Sequence, residues 1–303
     1  MKIVFLDSAI INPGDISWEG LQRLGELQVR KRTSREEAVS VIGDAEAVFT
    51  DSFAIDRELM EACSSLKFIG ISATGFNHVD LDAAKELGIA VANVPAYAAE
   101  AVAQHAIALL LSVTNQIETY NNAVKEGEWQ KSRDYTFIKA PLTLLAGKTI
   151  GIVGYGDIGS KIAQIAEALG MKVNIYSRDR VAAMGSDVVS LSCPLTPENR
   201  GMVDAEFISQ MKDGAILINT ARGGLIEEAA LADALKSGKL AGAGLDVLAQ
   251  EPPGEDNPLV GLPNCHITPH IGFIPIETRR VVIETCEKNL ESFLSCGELN
   301  RLV

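Results

Sequence analysis

The sequence predicts an α/β protein built on doubly wound parallel sheets, and three observations carry that prediction. Short β-branched apolar runs alternate with amphipathic helical stretches from the N-terminus onward. One such run, Thr149-Ile150-Gly151-Ile152-Val153, stops at Gly154-Tyr155-Gly156-Asp157-Ile158-Gly159 and passes directly into a helical pattern of Ile158, Ile162, Ile165 and Leu169, closed by Gly170. A length of 303 residues suits about two domains and can bury most of the chain's apolar surface.

Composition narrows the class. A hydrophobic content of 47% with 22% charged residues is ordinary for a folded water-soluble chain. No apolar run approaches the roughly 20 residues a membrane span needs. Met1-Lys2-Ile3-Val4-Phe5-Leu6 reads as a first strand, too short for the apolar core of a signal peptide. The five cysteines, Cys63, Cys193, Cys265, Cys286 and Cys296, are scattered, odd in number and without metal-ligand spacing. Reduced thiols in a cytoplasm and no bound metal are therefore expected. A net charge of −13 argues against nucleic acid or an anionic membrane surface as partner.

In chain order, strands are expected at Lys2–Leu6, Ala47–Thr50, Phe68–Ile71 and Ala90–Ala92. Ser34-Arg35-Glu36-Glu37 has the form of a capping box opening a helix to Ile42. Asp56–Ala62 and Leu81–Leu87 are further helices, the second ended by Gly88. Ligands bind outside the carboxyl ends of parallel strands. Two loops there, Thr50-Asp51-Ser52 and Ser72-Ala73-Thr74-Gly75-Phe76-Asn77, are either ligand loops or simple turns. Pro95 breaks the chain, and Ala98–Ile117 is predicted as one long helix containing His105, whose imidazole reads as packed or surface-exposed rather than catalytic. The polar arm from Asn121 to Lys139 carries Trp129, Tyr135 and Phe137 among charges, a pattern that suits a subunit contact better than a ligand box. A second domain is expected to begin near residue 99.

The glycine stretch is the centre of that second domain. Its first glycine permits a tight turn, the second lets the backbone approach a pyrophosphate, and the third lets helix and strand pack closely. Gly154, Gly156, Asp157, Ile158 and Gly159 are thus candidate cofactor contacts. About 20 residues further on, an acidic side chain would grip the ribose of NAD. The strand Lys172–Tyr176 is followed instead by Ser177-Arg178-Asp179-Arg180. A hydroxyl and guanidiniums suit a 2′-phosphate, so Ser177 and Arg178 point toward NADP(H); Asp179 keeps NAD open, and a solvated turn is the alternative.

Later strands are expected at Val188–Ser192, Ala215–Asn219, Ala241–Leu245 and His266–Thr268. Cys193-Pro194 and Thr220-Ala221-Arg222 leave the ends of two of them, where cofactor contacts belong. Leu245-Asp246-Val247 leads to Glu251-Pro252-Pro253, and Thr268-Pro269-His270-Ile271-Gly272 follows. An arginine, a carboxylate and a histidine that all follow strand ends fit chemistry on a small anionic carbonyl compound.

These stretches resemble the D-2-hydroxyacid dehydrogenase family over essentially the whole chain. The likeness rests on Gly154-Tyr155-Gly156-Asp157-Ile158-Gly159, Asn219-Thr220-Ala221-Arg222-Gly223, Gly244-Leu245-Asp246-Val247 with Glu251-Pro252-Pro253, and Thr268-Pro269-His270-Ile271, in that order. It implies a Rossmann-type cofactor domain, residues 99–272, inserted into a flavodoxin-like substrate domain made of residues 1–98 and 273–303. It implies His270 as proton donor and acceptor, Glu251 as its partner and Arg222 as the clamp on a substrate carboxylate. Main-chain N–H groups around Thr74, Gly75 and Phe76 would also take that carboxylate, and Asp246 would contact the cofactor.

Within the family, Asn93-Val94-Pro95, Gln104-His105, Thr74-Gly75-Phe76-Asn77 and Gly127-Glu128-Trp129-Gln130-Lys131-Ser132 look most like glycerate dehydrogenases, also called hydroxypyruvate reductases. The resemblance implies hydroxypyruvate or glyoxylate reduction, or D-glycerate oxidation, by a homodimer. A departure lies between Arg180 and Asp187, where the chain is shorter than the family's usual strand-and-helix insert beside the adenosine pocket. A non-catalytic NAD(H)-sensing regulator similar to the C-terminal-binding proteins, and an oxidoreductase similar to phosphite dehydrogenase, are the competing implications.

Overall fold

Alternation of short apolar runs with amphipathic ones builds the sheets of the computed structural model, which describes residues 1–303 and divides into two compact units, Met1–Tyr97 with Ile274–Val303 and Ala98–Phe273. In the first unit the chain runs β1 (Lys2–Phe5), α1 (Glu19–Leu24), β2 (Glu26–Val29), α2 (Ala38–Ile42), β3 (Ala47–Thr50), α3 (Arg57–Ala62), β4 (Phe68–Ile71), α4 (Leu81–Leu87) and β5 (Ala90–Ala92). All pairs are parallel, in the order β2-β1-β3-β4-β5, the flavodoxin-like arrangement. Every residue of β3 and β4 is buried, as expected of central strands covered on both faces.

Helix starts follow side-chain caps. Asp56 accepts the Leu59 N–H and Asp80 the Ala83 N–H, while Gly88 ends α4 in the left-handed region at φ 72°. The box at Ser34 forms, since the Ser34 N–H donates to Glu37 Oε1 and the Glu37 N–H reaches Ser34 Oγ. It closes a turn, and the helix itself begins at Ala38 rather than within the box.

The second unit runs α5 (Ala99–Asn115), α6 (Ile117–Lys125), α7 (Glu128–Lys131), β6 (Thr149–Val153), α8 (Asp157–Ala168), β7 (Lys172–Ile175), α9 (Arg180–Met184), β8 (Val188–Leu191), α10 (Ala205–Gln210), β9 (Ala215–Asn219), α11 (Glu228–Ser237), β10 (Leu240–Leu245) and β11 (Cys265–Ile267). The long helix expected to reach Ile117 breaks at Gln116, which sits at φ 50° and opens a second helix. No glycine or proline marks that break; the Gln116 side chain makes it by donating back to the Val113 carbonyl.

This sheet is parallel throughout, in the order β11-β10-β9-β8-β6-β7. That is the Rossmann order 3-2-1-4-5-6 with one further strand added and its outermost strand, number 3, missing. The shortened stretch after Arg180 is the reason. α9 alone joins β7 to β8, and it lies so close on β6 that a Cβ on Gly151 would stand 2.1 Å from the Ala183 carbonyl oxygen. β7 therefore forms the sheet's edge.

The last helix, α12 (Ile276–Leu294), belongs to the first unit, where Phe293 packs on Phe68 with ring centroids 5.1 Å apart. Asn289 on α12 donates to the Asn93 carbonyl, 2.8 Å away, and Arg301 bridges Ala92 in antiparallel fashion. No helix is long and apolar enough to cross a membrane, and all five cysteines are free thiols.

Candidate active site

The turn between β6 and α8 is shaped by its glycines for three separate reasons. Gly154 takes φ 96°, and a Cβ there would stand 2.5 Å from the Cys193 backbone nitrogen, so the Cys193-Pro194 loop presses directly on the turn. Gly159 must be small because a Cβ would meet the Gly154 carbonyl oxygen at 2.0 Å. Gly156 differs. It has φ −91°, and nothing lies within 4 Å of where its Cβ would be. Neither strain nor packing inside the protein asks for glycine there, and the open space suits a ligand.

Helix α8 begins beside that space. Its first backbone donor with an intrahelical acceptor is Ser160, bonded to the Gly156 carbonyl, so the N–H groups of Asp157, Ile158 and Gly159 precede the ladder. Unpaired donors of this kind suit an anion, for which the helix dipole adds positive potential. At the ends of the next two strands, β8 and β9, the Ser192 and Thr220 hydroxyls are buried without a partner. Donors, an open cradle and orphaned hydroxyls together fit the diphosphate and sugar of a dinucleotide.

The turn after β7 presents exposed Ser177 and Arg178. The Arg178 guanidinium lies over the Tyr155 ring, 5.6 Å from its centroid, and so stands beside the glycine turn. Asp179 is turned elsewhere, capping α9 by accepting the Ala182 N–H at 2.9 Å. Arg180 leans over Tyr176 and directs its Nε toward Met184 Sδ.

Three chemically competent side chains come together at the ends of β9, β10 and β11, which are neighbours in the sheet. Arg222 follows β9. Asn219 staples its loop, accepting the Ala221 N–H and donating to the Arg222 carbonyl, while Arg222 Nη1 rests on the Ala221 carbonyl. Gly223 is needed because a Cβ would collide with the Leu248 carbonyl group at 1.9 to 2.0 Å, which welds the arginine loop to the loop after β10. That second loop carries Glu251, whose Oε1 accepts the Leu248 N–H.

The other carboxylate oxygen of Glu251 is 2.7 Å from His270 Nδ1. An ionised carboxylate can only accept, so Nδ1 carries the proton and Nε2 is left for a substrate. This bond raises the His270 pKa above the ordinary histidine value, against burial and the nearby Arg222 charge. Burial pushes the Glu251 carboxyl up, but the His270 and Leu248 hydrogen bonds outweigh it and hold the group below its usual range. Phe273 meets the imidazole edge-on at 5.7 Å.

Asp246, at the end of β10, is 2% exposed. Its carboxylate accepts the Thr268 hydroxyl at 2.6 Å and the N–H groups of Ile271 and Gly272 at 2.8 Å, and its carbonyl accepts the His270 N–H. It thus braces the histidine loop from within. In the first unit, Thr74 donates its hydroxyl to the Val94 carbonyl, and Asn93 donates to the Thr74 carbonyl, fixing the loop that carries exposed Phe76 and half-buried Gly75. Sequence patterns did not single out Asn219, Leu248 or Thr268 as supports of the site: the bonds of Asn219 and Leu248 are local turn contacts that many sequences can make, and the bond from Thr268 to Asp246 joins residues that only the fold brings together.

Comparison with known proteins follows the same lines. Residues 107–272 match the model of the D-isomer specific 2-hydroxyacid dehydrogenase NAD binding domain. The chain is 46% identical to a hydroxypyruvate reductase of Blautia hydrogenotrophica, over 99% of each chain, and 40% identical to a glycerate dehydrogenase of Methylorubrum extorquens, over 97% and 96%. Among solved structures, the TT0316 protein of Thermus thermophilus superposes with a TM-score of 0.90 at 34% identity over the full length of both chains. An acyclic imino acid reductase (Bsp5), in complex with NADPH and D-Arg, superposes with 0.86 at 29%, again over both full lengths. A histidine hydrogen-bonded to a carboxylate, an arginine beside it and a glycine turn at the start of a helix are thus set in a chain that belongs to the D-isomer specific 2-hydroxyacid dehydrogenases, oxidoreductases that work with a nicotinamide dinucleotide.

Proposed function

We propose that the chain reduces small 2-oxo acids, hydroxypyruvate and glyoxylate foremost, and oxidises D-glycerate in the reverse direction. The observation that carries this reading is the 2.7 Å pair of His270 and Glu251, with the Arg222 guanidinium close enough to oppose the imidazole's charge. The hydroxypyruvate reductase and glycerate dehydrogenase relatives support the choice of substrate.

In this reading residues 98–273 form the dinucleotide-binding domain and the remainder the substrate domain. The bound nicotinamide supplies or accepts hydride. His270 Nε2 gives a proton to the carbonyl oxygen in reduction and takes it back in oxidation, a task suited to a group titrating near neutral pH. Glu251 holds the ring in the Nδ1–H tautomer and favours its charged form. Arg222 holds the substrate carboxylate, for which its planar fork gives two parallel hydrogen bonds. In the first unit, main-chain N–H groups of the Thr74–Phe76 loop are the candidate substrate contacts. The N–H groups at the start of α8 hold the diphosphate, with Cys193, Pro194, Thr220 and Ala221 lining the rest of the coenzyme, while Asp246, expected as a coenzyme contact, is buried with both oxygens engaged and braces the histidine loop instead.

NADPH is accepted. Arg178 beside Tyr155 offers a cation where an NAD enzyme presents a carboxylate, and Asp179, the one acid in that turn, is engaged as a helix cap. Steady-state kcat/KM for hydroxypyruvate, glyoxylate, pyruvate and phosphite with each coenzyme tests the whole reading. Faster turnover of phosphite than of any 2-oxo acid would remove the substrate assignment. Ser177→Asp combined with Arg178→Ala is expected to move preference toward NADH; a wild-type enzyme already strongly selective for NADH would show that these arginines only face solvent.

A further inference from the structure

We infer that His105, on α5, is a positioning residue for His270: through Thr268 and Asp246 it locks the loop that carries the imidazole, an inference that rests on the catalytic role proposed for His270. That loop needs holding. His270 sits at φ 55°, in the left-handed region that a side chain with a Cβ rarely adopts. What restrains it is one buried carboxylate, Asp246, whose oxygens collect Thr268, Ile271 and Gly272 while its main-chain carbonyl takes the His270 N–H. Asp246 is itself seated on the sheet, since its N–H donates to the Asn219 carbonyl.

His105 supplies the remaining restraint. Its Nε2 lies 2.8 Å from Thr268 Oγ1 and 3.2 Å from Asp246 Oδ1. Counting protons decides the direction of these bonds. The Thr268 hydroxyl has one hydrogen, and the 2.6 Å contact with an acceptor-only carboxylate uses it. Nε2 must therefore carry a proton and donate, to the threonine oxygen, to Asp246 or to both. This fixes the Thr268 rotamer and gives the buried carboxylate another donor. The ring also stands against the loop, as a Cβ added to Gly272 would be 3.6 Å from His105 Cβ and Cδ2 and 3.0 Å from Asp246 Oδ2. Without the imidazole donor, Thr268 keeps only its bond to Asp246 and Asp246 loses a partner, so residues 268–272 relax and the imidazole drifts from its bond to Glu251.

The test uses the full chain, four single variants and one double variant. His105→Leu keeps bulk without a donor, His105→Gln keeps a donor, and Thr268→Val removes the hydroxyl. His270→Ala serves as control. In His105→Leu, kcat for hydroxypyruvate reduction is expected to fall about 10²-fold, the loss that a misplacement of about 1 Å produces, with substrate KM within a few-fold of wild type. The pH at which His270 releases its proton, set by Glu251, Asp246 and Arg222 around it, should shift as well. His105→Gln should recover most of kcat, and combining His105→Leu with Thr268→Val should cost little more than either alone, because both break one chain of contacts. Wild-type kcat and pH profile in His105→Leu, with His270→Ala inactive, would overturn the inference and leave the catalytic assignment standing. Full activity in His270→Ala would overturn that assignment instead. If His105→Leu does not fold, Thr268→Val decides alone, and unchanged turnover in it removes the network from the mechanism.

Discussion

The chemistry of this chain turns on the protonation of one imidazole. The Glu251 hydrogen bond raises the pKa of His270, so the charged ring persists above the ordinary value of 6.5. Reduction uses the protonated ring, fully populated below that value and lost as pH rises through the folded-state pKa. The fall of reductive kcat/KM with rising pH should therefore be centred above 6.5, the ordinary histidine value, while oxidation, which needs the neutral ring, rises over the same interval. Replacing Glu251 by Gln should move the alkaline limb downward, and pH profiles in both directions would show it. His270→Ala should lose about 10²–10⁴-fold in turnover with coenzyme binding nearly intact, measurable by kinetics beside coenzyme titration. Arg222→Lys keeps the charge but not the two-pronged geometry. We expect a clear drop in kcat/KM for hydroxypyruvate, and unchanged capture would mean that Arg222 is not the carboxylate clamp.

At the level of elements, the glycine turn separates residues that shape the protein from one that shapes a ligand site. Gly159→Ala forces a Cβ to within 2.0 Å of the Gly154 carbonyl and should destabilise the β6–α8 packing itself. Gly156→Ala meets no protein atom within 4 Å and keeps an ordinary φ, so the variant should fold with an unchanged melting temperature and yet bind coenzyme poorly. Thermal unfolding alongside coenzyme titration distinguishes the two. The same sheet is secured at its opposite end by Asp187. Burial pushes this carboxyl up, but Lys212 and both the N–H and hydroxyl of Thr149 outweigh that and depress its pKa. Its stabilisation is present above the unfolded carboxylate value and is lost as pH falls through the folded one. Asp187→Asn should cost about 1–3 kcal/mol at neutral pH, a difference that vanishes in acid.

For the whole molecule, the arm from α6 to Leu144 exposes several large apolar side chains close together in the chain. Tyr135 is 90% exposed, Ile138 91% and Leu144 78%, and Trp129 ties the segment down by donating to the Tyr135 carbonyl. We propose that a second copy of the chain covers them. Sedimentation should give about twice the chain mass of 32.4 kDa, and Tyr135→Asp with Ile138→Asp should return it to the monomer value.

Much of this protein was legible in its sequence, because the signals concerned are local. The alternation of strands and helices, the glycine spacing and the strand-end positions of Arg222, Glu251 and His270 all follow from residues near one another in the chain. Short elements with weak periodicity, such as α1 and β2, and the side-chain-driven break at Gln116 did not show. The tertiary structure alone decided what depends on distant residues meeting. It turned Asp179 away as a helix cap, left β7 as the sheet edge after the shortened crossover, and made His105 a neighbour of Thr268 and Asp246 across more than a hundred residues. Hydrogen bonds and close packing act over a few ångströms of space, whereas sequence patterns report only distance along the chain.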